Sequence, residues 1–224
     1  MNLGGASLEG EPGECLAAAP PRLIVMSDCE NRPCALVLER LQRCCERAHR
    51  GTVLVQLRDK ELGIRERLSL GERLRTITRS LGQHLSVNDR LDLALLLDAD
   101  ALHLGELSIA TAQVRAHHGR RFWMSRAWHP AFRQPDLDAD ALVISPVCAP
   151  RKQKAALGLS GLRQAAGILD AGPKAPAVYA LGGVDDRTAP GCLALGIAGV
   201  AVMGAVLDHD DPEPLLKALG ILRK

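Results

Sequence analysis

Aromatic side chains are scarce in this 224-residue chain, which has two Trp, one Tyr and two Phe, 2% of its residues. Stacking platforms for bases are therefore few. The formal net charge of +2 supplies no general field for a polyanion, so nucleic-acid binding is excluded as the main role. No run approaches the roughly 20 apolar residues that a membrane-spanning helix needs. Asp and His interrupt even the Leu-rich segment 91–104. The seven cysteines form no Cys-x-x-Cys pair and are odd in number, which suits reduced thiols in a cytoplasmic protein. Cys44 and Cys45 are adjacent. They read either as core-facing thiols on a helix or as a redox pair.

Apolar residues make up 47% of the chain and charged residues 24%, the balance of a globular protein with a sizeable interior. The length fits one α/β barrel domain and is tight for two separate cores. Residues 1–21 are rich in Gly, Ala, Glu and Pro and carry acids where a secretory signal carries a basic start. They read as a flexible leader that adds nothing to the core, with the folded domain spanning 22–224.

From Arg22 onward, short apolar runs alternate with amphipathic stretches, the rhythm of repeated βα units around a buried parallel sheet. Strands are expected at 23–27, 53–57, 84–87, 101–104, 122–125, 141–144, 177–181 and 199–203. Helices are expected at 36–49, 66–81, 109–118, 162–170 and 186–195, where apolar residues recur at three- and four-residue spacing. A further helix after Ser125 is crowded by Pro130 and Pro135. Eight units predict a closed (β/α)₈ TIM barrel of the α/β class; a doubly wound open sheet is the alternative.

In such a barrel the polar residues just past each strand gather at one rim, where the chemistry sits. The second strand ends in Gln56-Leu57-Arg58-Asp59-Lys60, and alternation sends Gln56, Arg58 and Lys60 to one side. An amide and two cations suit a polar heterocycle and a phosphate; a surface ion-pair cluster is the rival account. Asn88-Asp89 follows the third strand and offers a carboxylate for Mg²⁺, or else a helix cap. Gly182-Gly183 and Gly204 follow the last two strands, where backbone N–H groups often cradle a phosphate. His129, just past the fifth strand, is the best acid/base candidate, against the alternative of a solvated or structural imidazole.

The order Gln56-Leu57-Arg58-Asp59-Lys60, Asn88-Asp89, His103-Leu104-Gly105, Ser145-Pro146-Val147 and Leu181-Gly182-Gly183 resembles the thiamine phosphate synthase/TenI family from about Arg22 to the C-terminal helix. In the synthases of that family, the Gln-x-Arg-x-Lys row and the Asn-Asp pair hold a hydroxymethylpyrimidine diphosphate and its Mg²⁺, which couples to a thiazole phosphate. The resemblance implies that Gln56, Arg58, Lys60, Asn88 and Asp89 line the site. It also implies that loops around Gly183 and Gly204 take the thiazole phosphate.

Other positions depart from the synthase pattern. Ser108 stands where an acidic metal ligand is expected, leaving Glu106 as a substitute. Ala127 replaces the diphosphate-binding serine, and Pro150 and Lys152 replace two hydroxyl residues. Each lost hydroxyl removes roughly 1.5–3 kcal/mol of hydrogen bonding to a charged group; Lys152 and Lys154 are cations able to compensate. The pattern is similar to the TenI branch, which aromatises a carboxythiazole phosphate by moving a proton, and Arg126-Ala127-Trp128-His129 places His129 in register with that branch's histidine.

The leading expectation is therefore a TenI-like thiazole tautomerase of thiamine biosynthesis, catalysed by His129 and needing no cofactor. Its binding residues would be Gln56, Arg58, Lys60, Asn88, Lys154, Gly183 and Gly204, with Asp89 a weak or absent Mg²⁺ site. The alternatives are a divergent synthase that uses Mg²⁺ and a catalytically silent phosphate-binding barrel. The expected partner is a phosphorylated thiazole or pyrimidine, with no nucleic acid or membrane involved, and self-association into a homo-oligomer stays open.

Overall fold

The computed structural model describes Leu16 and residues 19–130, 134–150, 154–169 and 175–223. Eight parallel strands close into a barrel in sequence order, β1 pairing with both β2 and β8. They are β1 Leu23–Met26, β2 Val53–Leu57, β3 His84–Asn88, β4 Ala101–Leu104, β5 Trp123–Trp128, β6 Ala141–Ile144, β7 Ala177–Leu181 and β8 Gly199–Val202. The helices among the described residues are α1 Cys34–Arg47, α2 Ile64–Leu81, α3 Leu91–Leu96, α4 Thr111–His118, α5 Gly158–Leu169, α6 Ala189–Leu193, α7 Gly204–Leu207 and α8 Glu213–Ala218. None is long and apolar enough to cross a membrane.

The strands read as unbroken apolar runs because both their faces are buried. In β1, Leu23 and Val25 pack outward with the helices, while Ile24 and Met26 join the barrel interior. The lower interior is filled by Ile24, Leu54, Ala101, Trp123, Ala141, Tyr179 and Ala201. Two large rings thus sit among alanines, Trp123 meeting Tyr179 edge-on at 6.0 Å. Leu16 is the exception to the reading of residues 1–21 as unpacked, since it is 1% exposed and lies in this inner cluster. The Tyr179 hydroxyl donates to the Pro21 carbonyl at 2.5 Å, on the same side of the barrel.

Three local departures from the sequence reading have physical causes. β5 runs on to Trp128 because Ala127 and Trp128 pair with Val143 and Ile144, contacts that lie far away in sequence. The expected helix after Ser125 is not seen among the described residues: proline lacks the N–H that a helix needs, and the strand takes up Arg126–Trp128 instead. The short helix α3 lies inside the Leu-rich stretch 91–104, where its six residues give too little periodicity to read. Cys44 and Cys45 are both buried on α1 against the strands, as core-facing thiols; burial pushes the Cys44 thiol up to about 12.

Closure depends on the β8–β1 seam. There, Val200 N–H donates to the Arg22 carbonyl at 3.1 Å. A Cβ added at Gly199 would lie 2.2 Å from that same carbonyl oxygen, which cannot turn away without losing its hydrogen bond. Gly199→Ala is therefore expected to cost ~2–3 kcal/mol, lowering the melting temperature by roughly 5–10 °C for a domain of this size. An unchanged melting temperature would show that the seam is not closed as described.

Candidate active site

Above the apolar plug, the inward positions turn polar. Gln56, Asn88, His103 and Ser125 are all buried and occupy the next level of β2, β3, β4 and β5. Above them a cavity of about 310 Å³ opens at the C-terminal ends of the strands, lined among others by Arg58, Lys60, Asn88, His103, Ala127, His129, Ser145 and Lys154. That volume suits a small phosphorylated heterocycle.

Strand pleating sends Gln56 and Arg58 inward, but they do different things. Gln56 is 3% exposed and lies below the cavity, where its Nε2 donates to Asn88 Oδ1 at 3.2 Å. It positions the Asn88 amide and is not among the residues that line the cavity. Asp59, on the opposite face, accepts hydrogen bonds from the Ser27 hydroxyl and the Cys29 N–H. It fastens the end of β1 to the end of β2, a role the sequence reading missed because both partners lie some thirty residues away.

Asp89 does not cap α3, whose first turn receives no side-chain cap. It adopts φ 62°, a left-handed conformation that costs on the order of 1 kcal/mol outside glycine and that Asp tolerates better than most. Its carboxylate turns across to β4. There it accepts from Ser108 Oγ, from Gly105 N–H at 3.1 Å, from Lys60 Nζ at 2.9 Å and from Asn88 Nδ2 at 2.8 Å. Burial works against ionisation, but the hydrogen bonds from Ser108, Lys60 and Gly105 outweigh it and hold the carboxyl at about 2. Glu106 does not join Asp89, as a substitute metal ligand would; it turns to His129. Among the described residues no three His, Cys, Asp or Glu side chains converge as a metal cage.

His129 follows directly on β5. Ala127 pairs with Val143 on β6, so the next inward residues, His129 and Ser145, lie side by side, with Nε2 3.2 Å from Ser145 Oγ. On the far side of the ring, Nδ1 lies 2.6 Å from Glu106 Oε1. That distance is an ion-pair distance without the alignment of a hydrogen bond, and the same oxygen accepts from the His129 backbone N–H at 3.1 Å. The contact is therefore chiefly electrostatic. The sequence offered Ser145 only within the Ser145-Pro146-Val147 motif and Glu106 only as a substitute metal ligand, since only the β4–β5–β6 register brings them to His129.

Gly183 and Gly204 lie at the ends of β7 and β8 and do not line the 310 Å³ cavity. Gly182 and Gly183 have φ of 100° and 71°. A Cβ at Gly183 would come 2.7 Å from Ala149 N, so the glycine pair lets the β7 turn pack onto the β6 loop. The space beside Gly204 holds the Asp208 carboxylate, 2.7 Å from a Cβ position. Arg32 grips that carboxylate through Nε at 2.7 Å and an NH2 at 3.0 Å. Lys152 lies outside the described residues.

His103 Nδ1 sits 2.9 Å from Ser125 Oγ. Burial, reinforced by Lys60, Arg58 and Arg126 against the opposing pull of Asp89, lowers its pKa to about 4. The unfolded chain takes up this proton near pH 6.5, whereas the folded chain takes it up only near 4. His103 thus contributes stability that is present above pH 6.5 and lost as the pH falls towards 4. Denaturant titrations should show the stability of wild type relative to His103→Gln falling by on the order of 1–3 kcal/mol across that window. A His103 ring proton that titrates in NMR near pH 6.5 would contradict this.

Comparison with known proteins gives one family. A family model described as thiamine monophosphate synthase matches residues 24–206. A thiamine-phosphate synthase from Thermus thermophilus is 37% identical over 178 residues, 78% of this chain and 84% of that protein. One from Moorella thermoacetica is 36% identical over 167 residues, 72% of this chain and 77% of that protein. The solved structure of a thiamine phosphate pyrophosphorylase from Pyrococcus furiosus superposes with a TM-score of 0.73 at 26% identity, covering 89% of this chain and 95% of that one. With a barrel closed in the expected strand order and relatives matched along most of their length, the chain belongs to the thiamine phosphate synthase/TenI family.

Proposed function

We propose that the chain is a TenI-like thiazole tautomerase of thiamine biosynthesis. The observation that carries this reading is an imidazole, His129, at the wall of a cavity that also holds the cations Arg58, Lys60 and Lys154. The cations draw in a phosphorylated, carboxylated ring and fix its orientation. The Asn88 amide, held by Gln56, offers a hydrogen bond to the ring. His129 then takes a proton from a saturated ring carbon and returns it at a conjugated carbon outside the ring, which leaves the ring aromatic. Imidazole, with an ordinary pKa of about 6.5, is suited to both steps near neutrality.

A second reading, divergent thiamine phosphate synthase activity, draws on the names of the relatives and on the Gln56, Arg58, Lys60, Asn88 and Asp89 set. That activity uses Mg²⁺ to neutralise a diphosphate. The donor set here fits the ion poorly. Asp89 already accepts from Lys60, Ser108, Gly105 and Asn88, and a cation beside a lone carboxylate opposes a second one. Ala127 also offers no hydroxyl at the cavity wall. These features favour proton transfer over diphosphate release.

His129→Gln keeps the volume but cannot shuttle a proton, so tautomerisation of carboxythiazole phosphate should fall by roughly 10²–10⁴-fold while calorimetric binding of the phosphorylated thiazole persists. Full turnover in the variant, or none in wild type, would remove the assignment. Titration with Mg²⁺ alone should show affinity on the order of millimolar or weaker. Tight binding abolished by Asp89→Ala, together with coupling of pyrimidine diphosphate to thiazole phosphate, would establish the synthase instead.

A further inference from the structure

Glu106, His129 and Ser145 form a row across the cavity wall. Glu106 stands in the turn between β4 and α4, and Arg126 orders that turn by donating to the carbonyls of Ser108 at 3.1 Å and Ile109 at 2.8 Å. The Glu106 carboxylate is thereby set against Nδ1 of His129 at 2.6 Å, while Nε2 faces Ser145 Oγ at 3.2 Å. Both side chains of the Glu106–His129 pair are about one-fifth exposed, at 21% and 18%, so solvent screens the contact only in part. Among the described residues, the other charged groups around the cavity include Arg58 and Lys60 from β2 and its end, Lys154 from the β6–α5 loop, Arg126 from β5, and Asp89, which is engaged by Lys60. His103 stays neutral above about pH 4. Glu106 is the carboxylate in direct contact with the His129 ring.

The row has the outline of a nucleophilic serine with its base. However, the N–H groups of Val147 and Cys148 already donate to the Leu181 and Gly182 carbonyls, at 2.8 and 2.7 Å. They are not available to stabilise an oxyanion. The same row is complete for proton transfer.

We propose that Glu106 is the positioning residue of His129. Its carboxylate keeps the ring proton on Nδ1, so that Nε2 is the basic nitrogen, directed at Ser145 and the cavity. When Nε2 takes a proton from a ring carbon of the substrate, the C–H electron pair stays in the substrate's π system, and the imidazolium that forms is stabilised by Glu106. The proton then leaves Nε2 for a conjugated carbon outside the ring, so that the ring becomes aromatic and the imidazole is restored. This inference rests on the tautomerase reading, since it names the residue that tunes that reaction's base.

The test uses the full chain, with Glu106→Gln to remove the charge and Glu106→Asp to keep it. Long-range ¹H–¹⁵N NMR reads the His129 tautomer without any substrate. Wild type is expected to hold the Nδ1–H form, Glu106→Gln to shift towards Nε2–H, and Glu106→Asp to stay nearer wild type. In parallel, Glu106→Gln should lower kcat by ~10–100-fold with KM changed less than about threefold, and Glu106→Asp should recover part of kcat. Identical tautomer populations in wild type and Glu106→Gln, or an unchanged kcat, would overturn the proposal. A wild-type protein with the Nδ1–H form pinned by Glu106 but without tautomerisation would uphold the positioning and reject the assigned reaction.

Discussion

A closed barrel gives every second residue of each strand no option but to face inward, and the site depends on how this chain fills those positions. On β5 the inward series is Trp123, Ser125, Ala127 and His129. The first residue plugs the barrel bottom, the second is the floor partner of His103, the third opens space at the cavity wall, and the fourth carries the imidazole. The same ascent from apolar to polar runs up β2 through Leu54, Gln56 and Arg58, and up β6 through Ala141, Val143 and Ser145. The plug keeps water out from below, and the polar level above it holds the cavity side chains by hydrogen bonds instead of by loose packing.

Charge is distributed around this cavity so that its groups restrain one another. Asp89 fixes the Lys60 ammonium while accepting from Ser108 and Gly105, which join the β3 and β4 ends. Its charge is thereby engaged by donors from the ends of β2, β3 and β4. His103, buried beneath the cations, stays neutral and acts as a floor. His129 differs from His103 in having a carboxylate beside it. Two histidines at neighbouring strands thus receive different environments: His103 is desolvated beneath the cations, and His129 at the cavity wall lies against Glu106.

Position also distinguishes the two glycine turns from the cation-lined cavity. Gly183 gives the room needed for the β7 turn to meet the β6 loop, and Gly204 makes room for Asp208, which Arg32 binds. Both glycines therefore have packing reasons of their own. At the end of β8 the Arg32 guanidinium is shared between the carboxylates of Asp208 and Asp28.

Much of the fold was legible in the sequence. Strands buried on both faces give unbroken apolar runs such as Val53–Leu57 and Ala141–Ile144, and their number and spacing specify the βα repeat. The inward direction of Arg58 followed from the pleat alone, and the order of the rim motifs from Gln56 to Gly183 pointed to the family. What the sequence could not decide was set by contacts across strands. The length of β5, the approach of Ser145 and Glu106 to His129, 16 and 23 residues away, the burial of Leu16, and the turn of Asp89 away from a helix cap each depend on contacts that local periodicity does not contain. Local periodicity determines which residues form an element and which face they share. Only closure of the barrel determines which residues of different strands stand at the same height, and that height decides which nitrogen of His129 meets a carboxylate and which meets a hydroxyl.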